Sequence, residues 1–129
     1  MNIIDHLSLG VPDIEKACQF YDGLMATIGC SRLANTDGFA AYGTDAIQFL
    51  TMLPENGQAS TAGNGVHICF VAASQEAVKN FHAYAVANGG ACAGEPGPRP
   101  GYPLPEVFTT FVHDPFGNKL EAIHQSFAA

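Results

Sequence analysis

Positive charge is scarce in this sequence. Among 129 residues, five are Lys or Arg against twelve acidic ones, a formal net charge of −7. Lys16, Arg32, Lys79, Arg99 and Lys119 are scattered along the chain. Neutralising a phosphate backbone needs clustered cations, so no nucleic-acid partner is expected. Long apolar runs are lacking as well. None approaches the ~20 residues that cross a bilayer, and no membrane span is expected. The first six residues, Met1 to His6, contain neither the basic segment nor the apolar stretch of a secretory leader, which implies a cytoplasmic protein. No CxxC pair occurs among Cys18, Cys30, Cys69 and Cys92. In a reducing compartment such cysteines are expected to be buried free thiols rather than disulfides or zinc ligands.

What is present is ample material for a core, with 47% hydrophobic and 13% charged residues. The length suits one domain, 1–129, and leaves no room for a second. Self-similarity organises it. Asp5-His6-Leu7-Ser8-Leu9-Gly10-Val11 aligns with Val66-His67-Ile68-Cys69-Phe70-Val71-Ala72 at an offset of 61, which also pairs Phe20 with Phe81 and Gly29 with Gly90. Each segment alternates as a strand does, and His6 and His67 fall on the face opposite Leu7, Leu9, Ile68 and Phe70. Asp13 and Ser74 are N-caps at matching places, and helical spacing follows both. Gly29 and Gly89-Gly90 supply the stops.

After each helix, turn residues punctuate three short strands, near 32–35, 39–42 and 46–52, then near 91–93, 107–113 and 119–124. The expected fold is α+β: two βαβββ units, about 1–53 and 65–125, joined by a linker at about 54–64, forming a curved mixed sheet around a central cleft. Matching Gln48 to Glu121 needs an offset of 73, so the second unit carries twelve extra residues. They coincide with 94–105, which contains five prolines and three glycines. Such a loop either covers a site or is a surface excursion.

Asp5-His6-Leu7-Ser8-Leu9, the helix with Ala17 and Phe20-Tyr21, Gly65-Val66-His67, and the run from Phe111 to Glu121 resemble the vicinal-oxygen-chelate superfamily of glyoxalases, bleomycin-resistance proteins and dioxygenases. The resemblance spans nearly the whole chain. Its most specific part is Asp114-Pro115-Phe116-Gly117-Asn118 followed by a strand bearing Glu121. It implies that His6, His67 and Glu121, with Gln48 as a fourth candidate, hold one divalent metal (Zn, Ni, Mn, Co or Fe(II)). Two imidazoles and a carboxylate bind such ions well and leave neighbouring positions open for a substrate. Glutamate is commoner in the family at the place given to Gln48, which stands as a weak ligand, a substrate hydrogen-bonder or a pocket residue.

The implied activity is that of a metal-dependent, glyoxalase-like lyase or isomerase binding a small molecule through paired oxygens, with Glu121 shuttling a proton as the catalytic residue. Two other readings fit the same resemblance: an extradiol-type dioxygenase, and a bleomycin-resistance-like protein that binds without catalysis. A homodimer is expected, with each site built from one chain or from two. Arg99 and Tyr102 in the inserted segment either reach an anionic or aromatic substrate or stand in solvent. Cys69 shares a face with His67 and either lines the pocket or serves packing. His82 is expected at the surface of the second helix, and His113 and His124 are expected to be structural or exposed.

Overall fold

The computed structural model describes residues 3–128; Met1 and Asn2, the start of the segment read above for a leader, and Ala129 lie outside the described residues. The first unit runs β1 (Leu7–Gly10), α1 (Ile14–Ala26), β2 (Ser31–Asn35), β3 (Phe39–Gly43) and β4 (Ile47–Met52). The second runs β5 (His67–Val71), α2 (Gln75–Ala87), β6 (Ala91–Pro98), β7 (Phe108–His113) and β8 (Lys119–His124). The two helices start 61 residues apart, at the offset read from the repeat. Both begin at the expected caps. Asp13 Oδ1 accepts from Lys16 N at 2.8 Å and Ser74 Oγ from Ala77 N at 3.0 Å, each satisfying a first-turn N–H that has no helical partner. Beyond their ends, Gly29 and Gly89 adopt φ of 81° and 97°, where a Cβ would be strained.

Each unit builds its own mixed four-stranded sheet, in the orders β1-β4-β3-β2 and β5-β8-β7-β6. The first strand of each lies parallel to the last, and the remaining pairs are antiparallel. Their registers correct the alignment of the two units. Leu7 sits opposite Phe49, and its counterpart Ile68 opposite Leu120. Phe49 and Leu120 stand 71 residues apart, so the position matching Glu121 is Leu50 rather than Gln48. The second unit therefore carries ten extra residues, not twelve. A slip of two residues keeps every side chain on its own face, which is why alternation in the sequence does not expose it. Gln48 shares that face but lies about 7 Å further along the strand.

The inserted segment is partly strand. β6, expected to end near residue 93, continues through Pro96 to Pro98. It tolerates those prolines because it is an edge strand, where one row of N–H groups has no ladder partner. Register shifts in β6 at Cys92–Gly94 and Gly94–Gly97 mark bulges against β7.

Each helix covers one face of its sheet. Leu9, Tyr21, Leu24 and Phe49 from the first unit join Phe81, Val112 and Leu120 from the second in one apolar cluster. The opposite faces are open: His67, Cys69 and Gln48 are exposed, and Val71 is 79% exposed. Among the described residues, no helix is long and apolar enough to cross a membrane. All four cysteines are free, but only Cys18 is buried; Cys69 and Cys92 are exposed, against expectation.

Candidate metal centre

Strand alternation decides which way Glu121 points. Its neighbours Leu120 and Ala122 are fully buried on the helix side of β8. Glu121 emerges on the open face, between Cys69 on β5 and Phe111 on β7. It is nonetheless only 2% exposed, and a buried carboxylate is costly unless partnered. Three side chains meet that need. His67 Nε2 lies 3.1 Å from Oε1, while Tyr102 donates to Oε2 at 2.7 Å. Thr109 Oγ1 lies 2.7 Å from the same Oε2 and 2.8 Å from the Ala122 carbonyl, its single proton serving one at a time. Since carboxylate oxygens only accept, the proton of the first pair sits on His67 Nε2.

The cluster holds its donors in the protonated state. Although Cys69 is exposed as a residue, loss of hydration at its sulfur raises the thiol well above its ordinary range. The charge of Glu121 and a hydrogen bond to it add to that shift. Tyr102 is raised by burial first, then by its hydrogen bond to Glu121 and by that charge, with Arg99 opposing weakly. At neutral pH both groups therefore face Glu121 carrying their protons.

The structure thus brings together His67, Glu121, Tyr102 and Cys69. Of the two readings of the inserted segment, it favours the one in which the segment reaches the site. Arg99 is close by, its guanidinium 5.8 Å from the Phe111 ring centre. Its N–H groups are turned to the carbonyls of Glu95, Gly97 and Pro98, so the side chain fastens its own loop. Gln48 lines a cleft between the first sheet and β5, together with Asp5 and Cys69. His6 stands apart, its side chain 59% exposed, with Nδ1 2.6 Å from Asp5 Oδ2. A carboxylate on Nδ1 is the arrangement that orients a histidine to coordinate through Nε2.

The donor set suits a divalent ion in part. A nitrogen and an oxygen each about 2.0–2.2 Å from one ion and at right angles, as neighbours in an octahedral site are, stand about 3 Å apart, close to the His67–Glu121 separation. Within one chain these two form a half-site. Among the described residues, the three ligand-type side chains whose donor atoms lie within 4.8 Å of one another are His82, Cys92 and Glu95, and His6, His67 and Glu121 are not so grouped. His82 departs from its expected surface position, its side chain being 14% exposed. His124 is structural, with Nδ1 3.2 Å from the Ala72 carbonyl. Thr109 was not anticipated as a site residue. Its signal was available, because alternation along β7 puts Thr109 and Phe111 on the face of Glu121.

The family described as the Glyoxalase/Bleomycin resistance protein/Dioxygenase superfamily matches residues 3–122. Among solved structures, a glyoxalase/bleomycin resistance protein from Albidiferax ferrireducens T118 is 36% identical, with a TM-score of 0.86 over 97% of this chain and 100% of that one. A glyoxalase-related enzyme from Fulvimarina pelagi is 19% identical, with a TM-score of 0.75 over the full length of both chains. A putative glyoxalase from Bacillus halodurans is 20% identical, with a TM-score of 0.74 over 97% of each. The last two likenesses concern the fold alone. No protein of curated function matches the chain.

Proposed function

The chain belongs to the Glyoxalase/Bleomycin resistance protein/Dioxygenase superfamily, and on that premise we propose a metal-dependent, glyoxalase-like lyase or isomerase acting on a small substrate with paired oxygens. The observation that carries this reading is the pairing of His67 Nε2 with Oε1 of the buried Glu121 at 3.1 Å. These two would hold one divalent ion (Zn, Ni, Mn, Co or Fe(II)), with His6 as a third ligand. When bound, such an ion supplies a Lewis acid with open positions for two substrate oxygens. Tyr102 and Thr109 keep Glu121 Oε2 in place, and the Glu121 carboxylate, once loosened from the ion, would be the group that accepts a proton from substrate carbon. Tyr102, protonated at neutral pH, would donate to a substrate oxygen only on leaving Glu121 Oε2. Gln48 and Cys69 serve as substrate contacts along their cleft rather than as ligands.

A homodimer belongs to the same proposal. Each sheet has one face under its helix and the other open, and Val71, Ile47 and Met52 expose apolar surface at 79%, 37% and 37%. A second copy that lays its first sheet over the second sheet of its partner buries this surface and carries His6 towards His67 and Glu121. The unit 1–129 is proposed as one domain because both halves share one apolar cluster. A reducing, cytoplasmic setting is supported by the four free thiols.

A non-catalytic ligand-binding protein is the second reading. It is favoured by one observation: His67, Tyr102 and Thr109 already satisfy both oxygens of Glu121. Metal content and calorimetric binding of Mn, Fe(II), Co, Ni and Zn, on protein purified without a histidine tag, decide between the two. The first reading expects a His67→Ala, Glu121→Gln double variant to bind one equivalent fewer than the unaltered protein. It also expects turnover of a substrate with paired oxygens, methylglyoxal with glutathione being the first to try. A metal-free protein that binds a small ligand tightly and turns nothing over would replace it with the second.

A further inference from the structure

We propose that His82, Cys92 and Glu95 form a second cation site, distinct from the Glu121 cluster, that takes one thiophilic divalent ion of the Zn(II) type. His82 lies on α2, while Cys92 and Glu95 lie on β6 beside it. Their donor atoms all fall within 4.8 Å of one another. Cys92 Sγ is 3.6 Å from Glu95 Oε1, and His82 Nε2 is 3.8 Å from Glu95 Oε2. Tetrahedral zinc with ordinary bond lengths sets sulfur–oxygen and nitrogen–oxygen edges of about 3.6 and 3.4 Å. The two contacts end on different Glu95 oxygens, so the exposed, flexible side chain has to turn to bring one oxygen to both edges.

Two features of the chain point to a ligand there. The first is His82 Nε2, which is buried and has no hydrogen-bond partner among the described residues. An orphaned polar atom is costly, and a metal ion is the partner that a neutral ring nitrogen beside a thiol and a carboxylate would take. The second is the bulge. Residues three apart on a regular strand point to opposite faces. Cys92 pairs with Val112 and Gly94 with Phe111, so β6 spends two steps where β7 spends one. The phase of β6 is thereby reversed between Cys92 and Glu95, and both come to the face that α2 covers.

Loading the site is balanced without any redox step. The Cys92 thiol, which now donates to Glu95, gives its proton to solvent, and the thiolate, the Glu95 carboxylate and His82 Nε2 each donate a lone pair. Two negative charges offset the dication, and a water completes four-coordination. Glu95 and Cys92 are open to solvent, so an ion can enter. The bound ion would clip α2 to edge strand β6. The Glu95 carbonyl also accepts from Arg99 Nη2 at 2.8 Å, so the same clip steadies the base of the loop that carries Tyr102.

The test is a Co(II) titration of a His67→Ala, Cys69→Ser, Glu121→Gln protein, in which the donors of the Glu121 cluster are silenced. One equivalent should bind with a thiolate-to-cobalt charge-transfer band. Adding Cys92→Ser should abolish that band and weaken Zn(II) binding by more than the roughly 10–100-fold typical of losing an outer-shell partner. Glu95→Gln should weaken binding while keeping the band. Absence of the band in the background protein, or its survival in Cys92→Ser, would overturn the proposal. Because the Glu121 cluster is disabled throughout, neither result bears on the function proposed above.

Discussion

Glu121 shows how one side chain can be buried, charged and accessible to chemistry at once. Its three partners come from β5, β7 and the loop after β6, so removing one leaves the others in place. Thr109→Val keeps the shape and deletes a hydrogen bond to a charged group, and should cost about 1.5–3 kcal/mol in urea unfolding. Tyr102→Phe removes a donor from a partly exposed residue, so stability should hardly change. On the proposed mechanism its kcat should fall by roughly 100-fold or more while metal stoichiometry is retained. Cys69 offers a chemical probe. Since lost hydration is the first cause of its raised pKa and Glu121 the second, its thiol should alkylate slowly at neutral pH. Glu121→Gln should accelerate that reaction only in part, as followed by mass spectrometry.

At the scale of elements, the turn that most marks the family does structural work. Asp114 is 3% exposed, and its Oδ1 accepts from the backbone N–H groups of Phe116 and Asn118 at 2.9 and 2.8 Å. Its Oδ2 accepts from Asn118 Nδ2 at 2.9 Å and from the hydroxyl of Tyr21, on α1, at 2.5 Å. Asn118 Nδ2 also donates to the Gly10 carbonyl at the end of β1. The β7–β8 turn thus clamps the second unit onto the first. Asp114→Ala strips a carboxylate from four donors, two of which belong to fully buried side chains. It should destabilise the protein by at least about 3 kcal/mol, with an unchanged denaturant m-value. The turn itself was legible in the sequence. Its clamp was not, because Tyr21 and Gly10 lie about a hundred residues away and nothing local marks them as partners.

For the molecule as a whole, stability should fall in alkali. Tyr21 and Tyr42 are both fully buried, and burial above all, with hydrogen bonds and charge from Asp114 and Asp22, raises both phenols above their ordinary value of 10.0. The folded state then holds these protons more tightly than the unfolded state. Their contribution is complete below that ordinary value and is lost as pH climbs above it, so urea midpoints should drop from about pH 9 to about pH 11 and drop less in Tyr42→Phe. The repeat, both N-caps, both glycine stops and the shared face of His67, Cys69 and Glu121 were determined by the sequence alone, since caps and alternation depend on neighbours a few residues apart. Tertiary structure alone decided three things. It made Leu50, not Gln48, the counterpart of Glu121, because a two-residue slip leaves alternation intact. It brought Tyr102 onto Glu121, because a proline-rich segment does not encode its own path. And it gathered His82, Cys92 and Glu95, because a bulge reverses the phase of a strand without leaving a mark in its pattern of apolar and polar residues.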